Sequence, residues 1–104
     1  MIRETIERHW KENLPHHPGE FTLDMESFTV EITPHVDIVT RKTEYWVRWR
    51  RKYLDGGRMR ICCDSTNVNR FGETVPSLRE AKACGEIFAL FMKGKASTIS
   101  FDGA

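Results

Sequence analysis
The sequence predicts an α+β fold in α-β-β-β-α order. That is an N-terminal helix, a three- or four-stranded antiparallel sheet, and a C-terminal helix packed on one face. Three observations predict it. Residues 44–63 alternate apolar and cationic side chains around Asp55-Gly56-Gly57, the pattern of a β-hairpin. Residues 77–92 join a helix cap to an apolar stripe of helical spacing. Residues 2–14 place Ile2, Ile6, Trp10 and Leu14 four apart, as on one face of a helix.

The elements follow in order. In 2–14, Glu4 precedes Arg8 and Glu7 precedes Lys11 at i,i+4, which supports a helix ending at Pro15. Pro15-His16-His17-Pro18-Gly19 reads as a rigid connector. Phe21 to Ile32 reads as extended, but its phase breaks. Leu23 and Met25 are odd, whereas Phe28, Val30 and Ile32 are even, so a bulge or bend is expected near Glu26-Ser27. Thr33-Pro34-His35 should end this strand, because proline cannot donate to a sheet ladder. Val36 to Thr40 fits a short strand or an extended loop equally.

In the hairpin, Tyr45, Val47, Trp49 and Tyr53 alternate with Trp46, Arg48, Arg50 and Lys52. Matching inner residues with inner residues selects a three-residue loop, Asp55-Gly56-Gly57. That register pairs Tyr53 with Met59, Trp49 with Cys63 and Lys52 with Arg60. It sets Arg51 on the inner face opposite Ile61, with its stem packed and head solvated or paired with a carboxylate from the first half. Asp64 to Pro76 reads as a long polar loop. The last helix opens at Ser77, with Glu80 completing a capping box. Leu78, Ala81, Cys84, Gly85, Phe88, Phe91 and Met92 form its stripe, and Gly94 fits the left-handed position past its end. Thr98 to Phe101 reads as a final strand or a tail. Both helices are expected on the face bearing Tyr45, Val47, Trp49, Met59 and Ile61.

A chain of 104 residues is the size of one domain, here residues 1–104. With 39% hydrophobic and 30% charged residues it has the composition of a folded chain. No apolar run reaches membrane-spanning length, and the charged start lacks the apolar core of a signal peptide, so a cytoplasmic protein without membrane contact is expected. Cys62, Cys63 and Cys84 are odd in number and form no disulfide framework. They read as inert thiols in a reducing compartment. His9, His16, His17 and His35 match no metal-ligand spacing, so neither metal nor cofactor is expected. Ser65 and Ser77 lie near no base and no glycine-rich phosphate loop occurs, so a non-enzymatic protein is expected.

Charge is segregated. Residues 1–40 carry three basic and eight acidic side chains, residues 41–60 eight basic and two acidic, and the whole chain is +1. The cations read as an outward hairpin face of Trp46, Arg48, Arg50, Lys52, Arg58 and Arg60. Such a face binds phosphates if it is open to solvent. It is matched internally if Asp24, Glu26 and Glu31 lie across it. Trp and Arg together are also the composition of a protein-binding hot spot. A small binding module is expected, with a protein partner first as inhibitor or adaptor, nucleic acid as the competitor, and homodimerisation as a variant.

The element order, with Ser77-Leu78-Arg79-Glu80-Ala81-Lys82 opening the last helix, is similar to that of the double-stranded-RNA-binding domain. The resemblance implies secondary phosphate contacts from Arg79 and Lys82. Leu78 stands where that family has a lysine, and its histidine-containing loop has no counterpart here. In size and texture the chain also resembles accessory proteins of bacteriophages and mobile elements.

Overall fold
A computed structural model describes residues 10–69 and 73–96, with side chains through Lys93. Its centre is a thirteen-residue strand, β4 (Thr43–Asp55). Before it come β1 (Trp10–Asn13), β2 (His17–Asp24) and β3 (Phe28–Val36). After it come β5 (Arg58–Ile61), β6 (Thr66–Asn67) and one helix, α1 (Leu78–Ala96). All pairings are antiparallel, in the order β1-β2-β3-β4-β5, with β6 also on β4. The sheet thus has six strands and one described helix, and the expected α-β-β-β-α order is not found.

The helix expected over 2–14 is not formed by its last residues. Trp10 to Asn13 is a strand whose Trp10 lies opposite Leu23, and residues 2–9 lie outside the described residues. A spacing of four suits a strand as well as a helix, since four is a multiple of both the strand period and nearly the helical turn. The phase break at Glu26-Ser27 is a hairpin turn rather than a bulge. Met25 donates its amide to the Phe28 carbonyl at 2.9 Å, and each strand keeps its own parity, so Leu23 faces Val30 and Phe21 faces Ile32.

Pro34 does not end β3, which pairs with β4 as far as Val36↔Thr43. It ends the other ladder. The Met25–Phe28 bond sets the phase, so the hydrogen-bonded position after Phe21–Ile32 would join Gly19 to Pro34. Pro34 has no N–H to give there, and the β2–β3 pairing stops at Phe21↔Ile32.

The region 64–76 is not a free loop either. Val68 donates to Val47, Tyr45 and Val75 exchange backbone hydrogen bonds, and β6 pairs with Arg48 and Trp49. The far edge of β4 is therefore covered in succession by Val75, β6 and β5.

Helix α1 lies on the face formed by Trp10, Leu23, Val30, Ile32, Val47 and Trp49. Ser77 caps it, accepting the Glu80 amide at 3.1 Å, as the capping box predicts. Ala81 and Ala89 are fully buried. Gly85 sits so close to the sheet that a Cβ there would lie 2.9 Å from Trp10 and 3.1 Å from Val30. Phe28, Trp49 and Phe88 meet edge-on and tilted at 5.4–6.4 Å between centroids. The Trp10 indole N–H donates to the buried Glu86 carboxylate at 2.9 Å. The helix continues through Gly94 rather than ending before it. Thr98 to Phe101 lies outside the described residues.

The inner residues Tyr45, Val47 and Trp49 do face the core, but Met59 and Ile61 do not. The hairpin loop is two residues, Gly56-Gly57, with Asp55↔Arg58, Leu54↔Met59, Tyr53↔Arg60 and Lys52↔Ile61. Both glycines have positive φ, 58° and 84°, the type I′ geometry that matches strand twist. Matching inner to inner selected the wrong register because this end of the hairpin lies beyond the helix, where burial imposes no parity.

Candidate interaction surface on the hairpin
The cations near the base of the hairpin are matched within the sheet. Arg50 Nε lies 2.9 Å from Glu31 on β3, and its Nη1 donates to the carbonyls of Cys62 and Cys63. Lys52 Nζ pairs with Asp24 and donates to the Met25 carbonyl at 2.6 Å. Arg48 lies over the Trp46 ring at 5.2 Å and donates to Asn67 at 3.3 Å. Trp46 is half-buried, with His35 at 6.3 Å between ring centroids. Thr29, between Asp24 and Arg50 in the register, is 1% exposed, so this face is closed over by its own side chains.

The six residues predicted as one face are not brought together. Cross-strand partners share a face, and Arg60 is opposite Tyr53 while Arg58 is opposite Asp55. Arg58 and Arg60 therefore belong with Tyr53 and Asp55, on the side away from Trp46, Arg48, Arg50 and Lys52. Arg60 Nε pairs with Asp55 at 2.8 Å. Arg51, on the inner side as expected, stands opposite Cys62 rather than Ile61 toward β5 and opposite Phe28 toward β3. Its guanidinium lies 5.7 Å from the centre of the Trp49 ring. Arg79 and Lys82 are on the helix layer, behind the sheet from Arg48 and Arg50. Lys82 is spent on the Phe21 ring at 4.5 Å.

What the sequence reading missed is apolar. Leu54 is 72% exposed, Met59 54%, Ile61 49% and Tyr53 46%. In the observed register Leu54, Met59 and Ile61 stand on one side of the ribbon, and Tyr53, Arg58 and Arg60 on the other. The signal was present in Gly56-Gly57, since two adjacent glycines favour a two-residue loop that sets Leu54 opposite Met59.

Two other features lie apart from the hairpin. An open apolar depression of about 730 Å³ runs along α1 between Val68 and Ala83, Cys84, Ile87 and Phe88. Burial pushes the Cys84 thiol up, which keeps it protonated. At the other end of β4, the β3–β4 loop carries Ile38 and Val39 about 90% exposed. The amides of Thr40 and Val39 donate to Asp37 Oδ1 at 3.2 and 2.8 Å and hold its carboxyl below the usual carboxylate range. Among the described residues no three His, Cys, Asp or Glu side chains come together as metal ligands, and no helix is long and apolar enough to cross a membrane.

No protein-family model, curated protein or solved structure matches the chain. Nor does the double-stranded-RNA-binding resemblance extend to the described architecture, which has a six-stranded sheet and a strand at Trp10–Asn13, within the segment expected as the opening helix.

Proposed function
We propose that the chain is a protein-binding module whose contact surface is the outer half of the β4–β5 hairpin. One observation carries the reading: Leu54, Met59 and Ile61 are exposed together on one side of a two-stranded ribbon whose other side presents Tyr53, Arg58 and Arg60. Exposed apolar groups cost little singly, but three together on one side of a ribbon mark a contact surface, and the Tyr and Arg on its other side are residue types that protein interfaces favour. A two-stranded hairpin without a third strand is also marginal in water, so a partner that covers it adds stability. Nucleic-acid binding is the weaker reading. Arg50 and Lys52 already hold carboxylates, and the remaining cations divide between two faces.

The test is site-specific photo-crosslinking in cells, with the reactive residue at Leu54 or, as control, at Lys11 on the opposite edge strand. Position 54 should give a discrete protein adduct. Excess native chain should compete it away, and the triple variant L54A/M59A/I61A should not. Equal adducts from both positions, or an adduct with nucleic acid alone, overturn the reading.

A further inference from the structure
The hairpin also has an open backbone edge, and we infer that it binds its partner by adding a strand: an extended segment that alternates acidic and apolar residues. This rests on the protein-binding reading above and names the partner's chemistry. The ladder phase decides which groups are available. Cys62 donates to the Arg51 carbonyl and Lys52 donates away from β5 to Ser27. The hydrogen-bonded pairs of the hairpin are therefore Arg51–Cys62, Tyr53–Arg60 and Asp55–Arg58. The N–H and C=O groups of Met59 and Ile61 point the other way, to the edge that no described strand covers.

Side chains set the sequence that fits. A strand laid on this edge meets Met59 and Ile61 on one face and Arg58 and Arg60 on the other. Apolar residues suit the first face and carboxylates the second, where Arg60 is held by Asp55 only in an exposed pair, worth little and open to exchange with a partner carboxylate. A second copy of the chain is a poor occupant. The antiparallel registers that set Met59 opposite Met59 or Ile61 of a copy place Arg58 opposite Arg60 or Arg60 opposite Arg60, and like charges directly opposite are destabilising; pairing Ile61 with Ile61 avoids this but engages only the end of β5. Edge cations commonly protect a sheet from such self-pairing, and here the same cations select an acidic partner. The other sheet edge is less suited: β1 has four residues, Lys11 and Glu12 of opposite sign, and a register shift at Glu12/Asn13.

The experiment titrates the full chain with a capped peptide of about ten residues alternating glutamate and valine, read by amide exchange and NMR shifts. Exchange at the Met59 and Ile61 amides should slow by roughly tenfold or more at saturation. A matched lysine–valine peptide should bind at least about tenfold more weakly. Met59→Pro removes an outward N–H while leaving the bonds from Arg58 and Arg60 to β4, and should weaken binding by about tenfold or more. Arg58→Glu with Arg60→Glu should reverse the preference between peptides, which guards against a proline variant that merely unfolds. Equal binding of both peptides, unchanged Met59 and Ile61 exchange, or Met59 and Ile61 protection in a dimer without peptide overturns the proposal. If strand addition fails while the Leu54 adduct persists, the hairpin is a side-chain docking surface. If both fail, the protein-binding reading falls with it.

Discussion

At the scale of residues, packing is decided by a few contacts that cross between layers. Gly85 is the clearest. Alanine is the better helix former by about 1 kcal/mol, yet its Cβ would meet the Trp10 ring at 2.9 Å and Val30 at 3.1 Å. Trp10 is pinned from its other end by the bond to Glu86, so the ring cannot simply swing aside. Overpacking typically costs about 1–3 kcal/mol. Gly85→Ala should therefore lower stability despite its propensity gain, measurable as a lower urea midpoint at unchanged m-value. An increase in midpoint would show that α1 can lift from the sheet at little cost. The sequence marked Gly85 as a small residue on the helical stripe but named no partner for it. The spacing of Ile2, Ile6, Trp10 and Leu14 puts Trp10 on a helix of its own, and its approach to Gly85 joins positions far apart in the chain.

Individual elements were legible where a local rule and burial agree. Ser77 and Glu80 mark the start of α1, and Tyr45, Val47 and Trp49 mark its side of the sheet, because capping chemistry and core parity both act there. The hairpin tip shows the reverse. It lies past the helix, so turn geometry alone sets the register, and the two positive-φ glycines take the two-residue loop. The β3–β4 loop has a similar local logic. It is held by the Asp37 carboxylate, whose acceptor oxygen takes the Thr40 and Val39 amides. Those bonds favour the charged form, so the folded carboxyl titrates below its ordinary value of 3.8. The contribution is complete above that ordinary value and is lost as pH falls through the lowered folded one. Amide exchange at Val39 and Thr40, taken relative to the intrinsic rate of an unstructured chain at each pH, should be slow at neutral pH and accelerate in strong acid. Asp37→Ala should make it fast throughout. An exchange rate in the variant equal to that of the native chain would mean that the backbone turn at Arg41, which has a φ of 62° and donates its amide to the Asp37 carbonyl at 2.8 Å, holds the loop without the Asp37 carboxylate.

For the whole molecule, charge segregation in the sequence turns out to be adjacency in the sheet. Strand β3 lies beside the basic β4 and β2 is next beyond it, so Glu31 meets Arg50 on the neighbouring strand and Asp24, at the β2–β3 turn, meets Lys52. Whether the acids would cover the bases could not be read from composition, because it depends on strand order. The arrangement bears on nucleic acids. Five hairpin cations acting on phosphates together would give a salt dependence of about −4 to −5 in log K against log[salt]. With Arg50 and Lys52 occupied and the rest divided between faces, anisotropy titrations against duplex RNA or DNA should show a slope no steeper than about −2. A slope near −5 would require the internal ion pairs to open, and would restore the nucleic-acid reading.

The length of β4 carries a consequence for the chain as it is made. One edge of this strand is closed by β3, synthesised before it, and the other by β5, β6 and Val75, synthesised after it. Its inner face, Val47 and Trp49, waits for α1 at the end of the described chain. A ribosome paused between these points holds a half-paired strand with its aromatic face bare, a state that attracts chaperones and neighbouring nascent chains. The whole inner face, from Trp10 on β1 to Trp49 on β4, stays uncovered until α1 is made, and β4 adds an open edge to it.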